Sequence, residues 1–219
     1  MKCAILGSMD QFLSELSILL LENGIEPYFF ENTPENLNNY QVVFIDEVFA
    51  DEVKNSEIEG SSIIITEKAQ TETGERKTLK KASSHEAVTG FIKKLAEKLP
   101  KTNDMRKHVR VKPDRNELMR VHYDDKKQKK KIIGKVIDIS LGGFAAELLN
   151  VSDLSVIDTG TRINPITITM ATGQIEPSGY IVNKRKRFVA VNFTSFVNKD
   201  RHSLARYIIQ RLNAKPEVL

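Results

Sequence analysis

Two short stretches carry side chains suited to gripping an anion. Arg106-Lys107-His108-Val109-Arg110 sets two guanidiniums four residues apart. Asp138-Ile139-Ser140-Leu141-Gly142-Gly143 ends a predicted strand with two small polar acceptors, read as exposed, and a glycine turn. A guanidinium is a planar fork of donors. It fits phosphate oxygens or the O6/N7 edge of guanine, and its flat face stacks on a base. Lysine at either place keeps the charge and loses the fork. Asp138 can accept from N–H donors, and Ser140 adds a short hydroxyl. Gly142 and Gly143 let the backbone turn sharply and approach a ligand closely. Taken alone, each stretch has a plain reading: solvated linker charges for the arginines, an Asx turn closing a hairpin for Asp138-x-Ser140. Their order and pairing carry the signal.

The charge distribution says where these residues sit. The chain has 219 residues and a net charge of +4. Residues 1–100 hold 10 Lys and Arg against 17 Asp and Glu, a balance of −7, while residues 101–219 hold 23 against 12, a balance of +11. Such a split suggests two domains with different partners. The basic half should attract an anionic ligand, and the acidic half should not bind nucleic acid. The expected division is a domain over 1–99, a linker with the ligand loop over 100–114, and a second domain over 115–219. Pro100 and the polar residues after it end the first domain. The arginine pair follows at once, so the ligand loop is continuous with the hinge.

Composition excludes several classes. No apolar run approaches the roughly 18 residues of a membrane span. The N-terminus lacks the cleavage site of a signal peptide, so a cytoplasmic location is expected. Cys3 lies in a predicted strand as a small buried hydrophobe. The histidines His85, His108, His122 and His202 show no metal-ligand spacing. No nucleophile–base pair or metal cluster stands out, so an enzyme is not expected, nor a cofactor.

In the first half, strands alternate with helices. Strands are expected at Lys2–Gly7, Pro27–Phe30, Val42–Ile45, Ser62–Thr66 and, weakly, Leu79–Ala82. The short apolar runs suit strands buried on both faces. Asp10 caps a helix to Glu22, and Ser83 or Ser84 caps another to about Lys98. Glu31–Gln41 is too short for a full crossover helix. Glu67–Thr78 is polar and reads as a loop. The fold class expected here is α/β, a small open parallel sheet.

In the second half, the period changes to short strands: Asn116–Tyr123, Ile132–Ile139, Phe144–Leu149, Ile163–Met170, Ile175–Asn183 and Arg187–Phe193. A helix over Asp200–Leu212 closes the chain. Residues Asp124–Lys131 read as a charged hairpin tip, solvated rather than nucleic-acid binding, and without aromatics to stack on bases. Six strands with no helix between them suggest an all-β antiparallel barrel.

The paired motif, Arg-x-x-x-Arg followed by Asp-x-Ser-x-x-Gly, resembles that of the PilZ domain, the bacterial receptor module for cyclic di-GMP. The resemblance covers both motifs and the strand series, about half the chain. It implies ligand contacts by Arg106, Arg110, Asp138, Ser140 and Gly143. Many such loops have another arginine before the first. Here that residue is Met105, so one bound molecule is slightly preferred over a stacked pair. The implied function is a cyclic di-GMP receptor that changes its domain arrangement and passes the signal to a protein partner.

The first half resembles a shortened response-regulator receiver. The resemblance sets Asp46 at the phosphoacceptor place, Thr66 at the hydroxyl place and Lys80 or Lys81 at the lysine place. It departs where receivers keep an acidic pair for Mg²⁺: this chain has Gly7-Ser8-Met9, with only Asp10 nearby. Two alternatives therefore stand beside the receptor: a nucleic-acid-binding regulator using the basic half, and a phosphorylation-switched regulator acting through Asp46.

Overall fold

The computed structural model describes residues 1–34, 36–51, 53, 61–66, 77–81, 83–98, 107–125, 130–155 and 157–214. Of the sequence expectations, Met105 and Arg106, the loop over 67–76, the linker over 99–104 and Lys126 to Lys129 lie outside the described residues. The chain forms two compact units, Met1–Val109 and Arg110–Ala214.

The first unit is a five-stranded parallel sheet. β1 (Lys2–Leu6), β2 (Glu26–Phe30), β3 (Val42–Asp46), β4 (Ser61–Thr66) and β5 (Lys77–Lys80) lie in the order β2-β1-β3-β4-β5. This is the order of flavodoxin-like doubly wound folds, in which ligands bind at the carboxyl ends of the strands. Strand alternation splits the core into two layers. Cys3, Ile5, Phe44, Ile63 and Ile65 pack with Leu13, Leu16 and Leu20 of α1 (Gln11–Glu22) and with Val88, Ile92 and Leu95 of α2 (His85–Lys98). Ala4, Leu6, Val43 and Ile45 pack on the opposite face with Leu37 and Val53. Each such aliphatic side chain contributes roughly 1.5–3 kcal/mol by leaving water. Asp10 caps α1, accepting from the Leu13 N–H at 2.7 Å. The short β2–β3 connection holds a single turn of 3-10 helix, Leu37–Asn39.

The second unit is an eight-stranded antiparallel sheet closed by a helix. The strands are β6 (Arg120–Asp125), β7 (Lys130–Ser140), β8 (Gly143–Leu148), β9 (Arg162–Ile163), β10 (Thr167–Met170), β11 (Gly173–Ile175), β12 (Ser178–Arg185) and β13 (Phe188–Ser195). Their order is β11-β10-β6-β7-β8-β13-β12-β9. The sheet curls, so that Val121 and Tyr123 of β6 share one interior with Ile181 of β12 and Val189 and Val191 of β13. α3 (Asn198–Asn213) buries Leu204, Tyr207 and Ile208.

Three details depart from the sequence expectation. Six strands become eight, because Pro165 and Pro177 interrupt two of the expected ones. Neither proline has an N–H for the ladder. The two breaks face each other, with the Ile166 N–H donating to the Pro177 carbonyl at 2.8 Å. The first strand starts at Arg120, not Asn116, because Asp114 to Glu117 form a turn. The Glu117 N–H donates to the Asp114 carbonyl at 3.0 Å, and the Asn116 N–H donates to the Asp114 carboxylate at 3.4 Å. Lys130 is not part of a solvated tip. It pairs with Asp153, whose side chain is buried.

Candidate functional site

β7 positions the site from one side. Val111 and Ile139 exchange two backbone hydrogen bonds of 2.9 Å each, an antiparallel bridge that lays the entering segment against β7. Asp138 sits beside a register shift in the β7–β8 ladder, between Val136 and Asp138. Such bulges re-aim a side chain. The Arg110 guanidinium donates to the Asp138 carboxylate at 3.3 Å. Both remain accessible, with side-chain exposures of 44% and 25%. Arg110 and Asp138 are thus brought together. Arg106 lies outside the described residues.

Ser140 behaves differently from its sequence reading. It is buried, 3% exposed, not an exposed acceptor. Its hydroxyl donates to the Gly143 carbonyl and accepts from the Gly142 N–H, each at 3.2 Å. A serine at a tight β7–β8 turn satisfies the turn's own polar groups, which is the plain turn reading. Gly143 is required by the backbone. Its φ is +155°, and a Cβ there would lie 2.1 Å from the Val191 carbonyl oxygen. Ser140 and Gly143 shape the site; Arg110 and Asp138 present polar groups to it.

The ladder extends this corner into a surface. One row runs Asp138, Ala145, Ala190, Asn183 across β7, β8, β13 and β12. The next runs Ser140, Gly143, Asn192, Tyr180. The middle of the patch is small: Gly143, Ala145 and Ala190. Its edges carry Arg110 and Asp138 on one side and Asn192 and Tyr180 on the other. Asn192 and Tyr180 escaped the sequence reading. Their signal is register, which a single sequence does not reveal.

A latch holds the segment that follows Arg110. From α3, Arg211 donates to the Lys112 carbonyl at 3.4 Å and to the Asp114 carboxylate at 3.1 Å. The Tyr207 hydroxyl donates to Glu117 at 2.7 Å. Burial, then the Glu117 hydrogen bond, pushes the Tyr207 hydroxyl well above its ordinary pKa. The Asn116 N–H, then Arg211, holds the Asp114 carboxyl below the usual range.

The first unit has its own cluster at the carboxyl ends of β3 and β4. Lys81 reaches Asp46 at 2.8 Å and Asp10 at 3.0 Å. The hydrogen bond to Asp46, ahead of a smaller opposing effect of burial, raises the Lys81 ammonium above its ordinary pKa. Thr66 is buried and donates to Glu47 at 2.5 Å. Of the two candidate lysines, Lys81 joins Asp46, whereas Lys80 is exposed in β5. Asp10 and Glu47 complete a group that the sequence reading had only in part. Among the described residues, no group of three or more His, Cys, Asp or Glu is placed to hold a metal ion.

With this geometry in view, three solved structures bear comparison. The PilZ domain of YcgR from Escherichia coli with c-di-GMP aligns with 49% of this chain and 92% of its own, at 16% identity and a TM-score of 0.43. The MrkH–c-di-GMP complex of K. pneumonia aligns with 46% of this chain and 48% of its own, at 13% identity and TM-score 0.41. The Bacillus subtilis inhibitor of motility, MotI/DgrA, aligns with 52% and 53%, at 21% identity and TM-score 0.41. The chain is similar to solved PilZ structures. It spans about half the length of MrkH and MotI/DgrA in these alignments. No protein-family model matches the sequence. No curated protein matches it either. No helix among the described residues is long and apolar enough to cross a membrane.

Proposed function

We propose that this chain is a receptor for cyclic di-GMP, with no reaction of its own, and that its PilZ-like half binds the ligand across the Arg110–Asp138 corner. The observation that carries the reading is that corner. A guanidinium and a carboxylate 28 residues apart in sequence meet at 3.3 Å and stay accessible beside a floor of Gly143, Ala145 and Ala190. A cyclic dinucleotide offers what such a corner takes: phosphodiester oxygens for the guanidinium fork, N1 and N2 donors for the carboxylate, and a flat base for a floor without bulk. Arg106 supplies the second fork of the paired motif.

The signal passes through the hinge. Arg106 precedes the boundary between the two units, at Val109 and Arg110, and Arg110 follows it. A ligand that grips both arginines ties the end of one unit to the start of the other. Ordering the intervening residues costs roughly 1–2 kcal/mol each, which the phosphate and base contacts must exceed. The shift in arrangement is limited to the ligand's differential affinity for the two states. A protein partner then reads the new arrangement.

Small-angle scattering and limited proteolysis, with and without cyclic di-GMP, test this reading. The ligand is expected to change the distance distribution and to protect residues 100–112, and Arg110→Ala is expected to abolish both effects. Tight binding with unchanged scattering and unchanged cleavage contradicts the hinge. Tight DNA binding that collapses with added salt would instead favour a nucleic-acid-binding regulator.

A further inference from the structure

Resting on the cyclic di-GMP reading, we infer that Asn192 and Tyr180 form the far wall of the ligand surface and hold the second base. Arg110 and Asp138 stand at one edge of the patch, on the β7 side. Cyclic di-GMP has two guanines, and one carboxylate serves the N1–N2 edge of only one. The second base needs a partner elsewhere on the same face.

The strand register supplies one. Asn192 lies two strands from Ser140 across Gly143, and Tyr180 lies one strand farther. At about 4.8 Å per strand, Asn192 stands about 10 Å and Tyr180 about 14 Å from β7, with only Gly143 between Ser140 and Asn192 in that row. Asn192 is exposed, and its neighbours along β13, Val191 and Phe193, point elsewhere: Val191 is buried, and Phe193 packs against Phe144 and Phe196. Its carboxamide donates to the Tyr180 hydroxyl at 3.4 Å, a long contact that is cheap to exchange.

The chemistry fits the edge of a purine. A carboxamide both donates and accepts, so it can pair with O6 and N1 of one guanine edge at once, and turned over it serves N6 and N1 of adenine. The tyrosine ring offers a face for the base, and stacking tolerates any base. Asn192 therefore supplies an edge contact and Tyr180 a face, while discrimination of guanine from adenine stays with the acceptor-only Asp138 carboxylate. The backbone beneath is held tightly. A Cβ at Gly143 would sit 2.1 Å from the Val191 carbonyl oxygen, and one at Gly179 would sit 2.5 Å from the Asn192 carbonyl oxygen. β8, β13 and β12 approach closely around Asn192, so the wall is preorganised and little ordering accompanies binding.

The test is titration calorimetry of the full chain with cyclic di-GMP and with cyclic di-AMP, which differs only in its bases. Asn192→Ala is expected to weaken cyclic di-GMP about tenfold, the loss typical of one hydrogen bond to a group left unpaired. The preference over cyclic di-AMP should stay about the same, because the carboxamide can turn over to serve either base. Tyr180→Ala should weaken both ligands together, and Tyr180→Phe should stay close to the parent for both. Asn192 is exposed and Tyr180→Phe removes one oxygen, so folding should survive; unchanged thermal midpoints check this. If the parent binds cyclic di-GMP but Asn192→Ala keeps its affinity within twofold, the inference is wrong and the receptor reading stands. If the parent binds neither ligand, the receptor reading fails and this inference fails with it.

Discussion

The Arg110 guanidinium rests 3.3 Å from the Asp138 carboxylate, so each holds the other. The pair is partly solvated, and such a pair contributes only about 0–1 kcal/mol to stability. Its worth lies in keeping the fork aimed at the face on which the ligand is expected.

The first prediction separates binding from folding. Arg110→Ala should remove measurable cyclic di-GMP binding while moving the thermal midpoint by no more than a few degrees. Arg110→Lys should recover only part of the affinity, because the charge returns without the fork. Asp138→Ala should weaken binding. Calorimetry and thermal unfolding on the same samples check all three, and full affinity in Arg110→Lys would count against fork recognition.

The latch on α3 makes a second prediction. Arg211 touches the segment after Arg110 without belonging to the ligand surface. Arg211→Ala should speed amide exchange at residues 110–117 and lower ligand affinity several-fold, mainly through faster dissociation. Tyr207→Phe leaves Glu117, whose other carboxylate oxygen is already buried without a partner, short of a donor. It should cost roughly 1–3 kcal/mol. Unchanged exchange at 110–117 in both variants would show that α3 does not hold the segment.

The latch also has a pH window. Tyr207 is shifted up, so its contribution is complete below its unfolded pKa, about 10, and is lost as pH rises beyond that. Asp114 is shifted down, so its contribution is present above about 3.9 and fades as pH falls through the acid range. Exchange at 110–117 should be slowest between these limits after correction for the intrinsic pH dependence. In Tyr207→Phe, the alkaline loss should be weaker.

In the first unit, Lys81 sets its ammonium between Asp46 and Asp10. Asp46 is buried, so Lys81→Met should destabilise the unit by roughly 3 kcal/mol, the cost of leaving a buried charge unpaired. Lys81 is shifted up, so its contribution is present below about 10.4 and lost at higher pH. The acidic pair that would hold Mg²⁺ is missing where the chain reads Gly7-Ser8-Met9, and a small phosphodonor with Mg²⁺ is expected to leave no phosphoryl group on the chain. A mass gain of one phosphoryl, absent in Asp46→Asn, would revive the phosphorylation-switched reading.

Much of this was legible in the sequence, for definite reasons. The first unit's elements follow from apolar runs of strand length and from caps such as Asp10. The Arg110–Asp138 corner follows from side-chain types in a fixed order. Long-range partners were not legible. Ser140 reads as exposed because it stands at a strand end just before a glycine turn, but the turn takes both its hydrogen bonds. Asn192 and Tyr180 acquire meaning only through the pairing of four strands. Lys130 sits in a run of like charges that suggests solvent, and only the fold brings Asp153 to it. Lys130→Ser should therefore destabilise the second unit, whereas Lys131→Ser, at an exposed position, should not. Equal thermal midpoints for the two variants would show that the Asp153 pair carries no weight.

The most direct measurement is titration calorimetry of the full chain at physiological salt with cyclic di-GMP, GTP and duplex DNA side by side. A saturable isotherm is expected for cyclic di-GMP alone, near one molecule per chain, and it should vanish in Arg110→Ala. No heat with cyclic di-GMP, or an isotherm that Arg110→Ala leaves unchanged, would contradict the receptor reading.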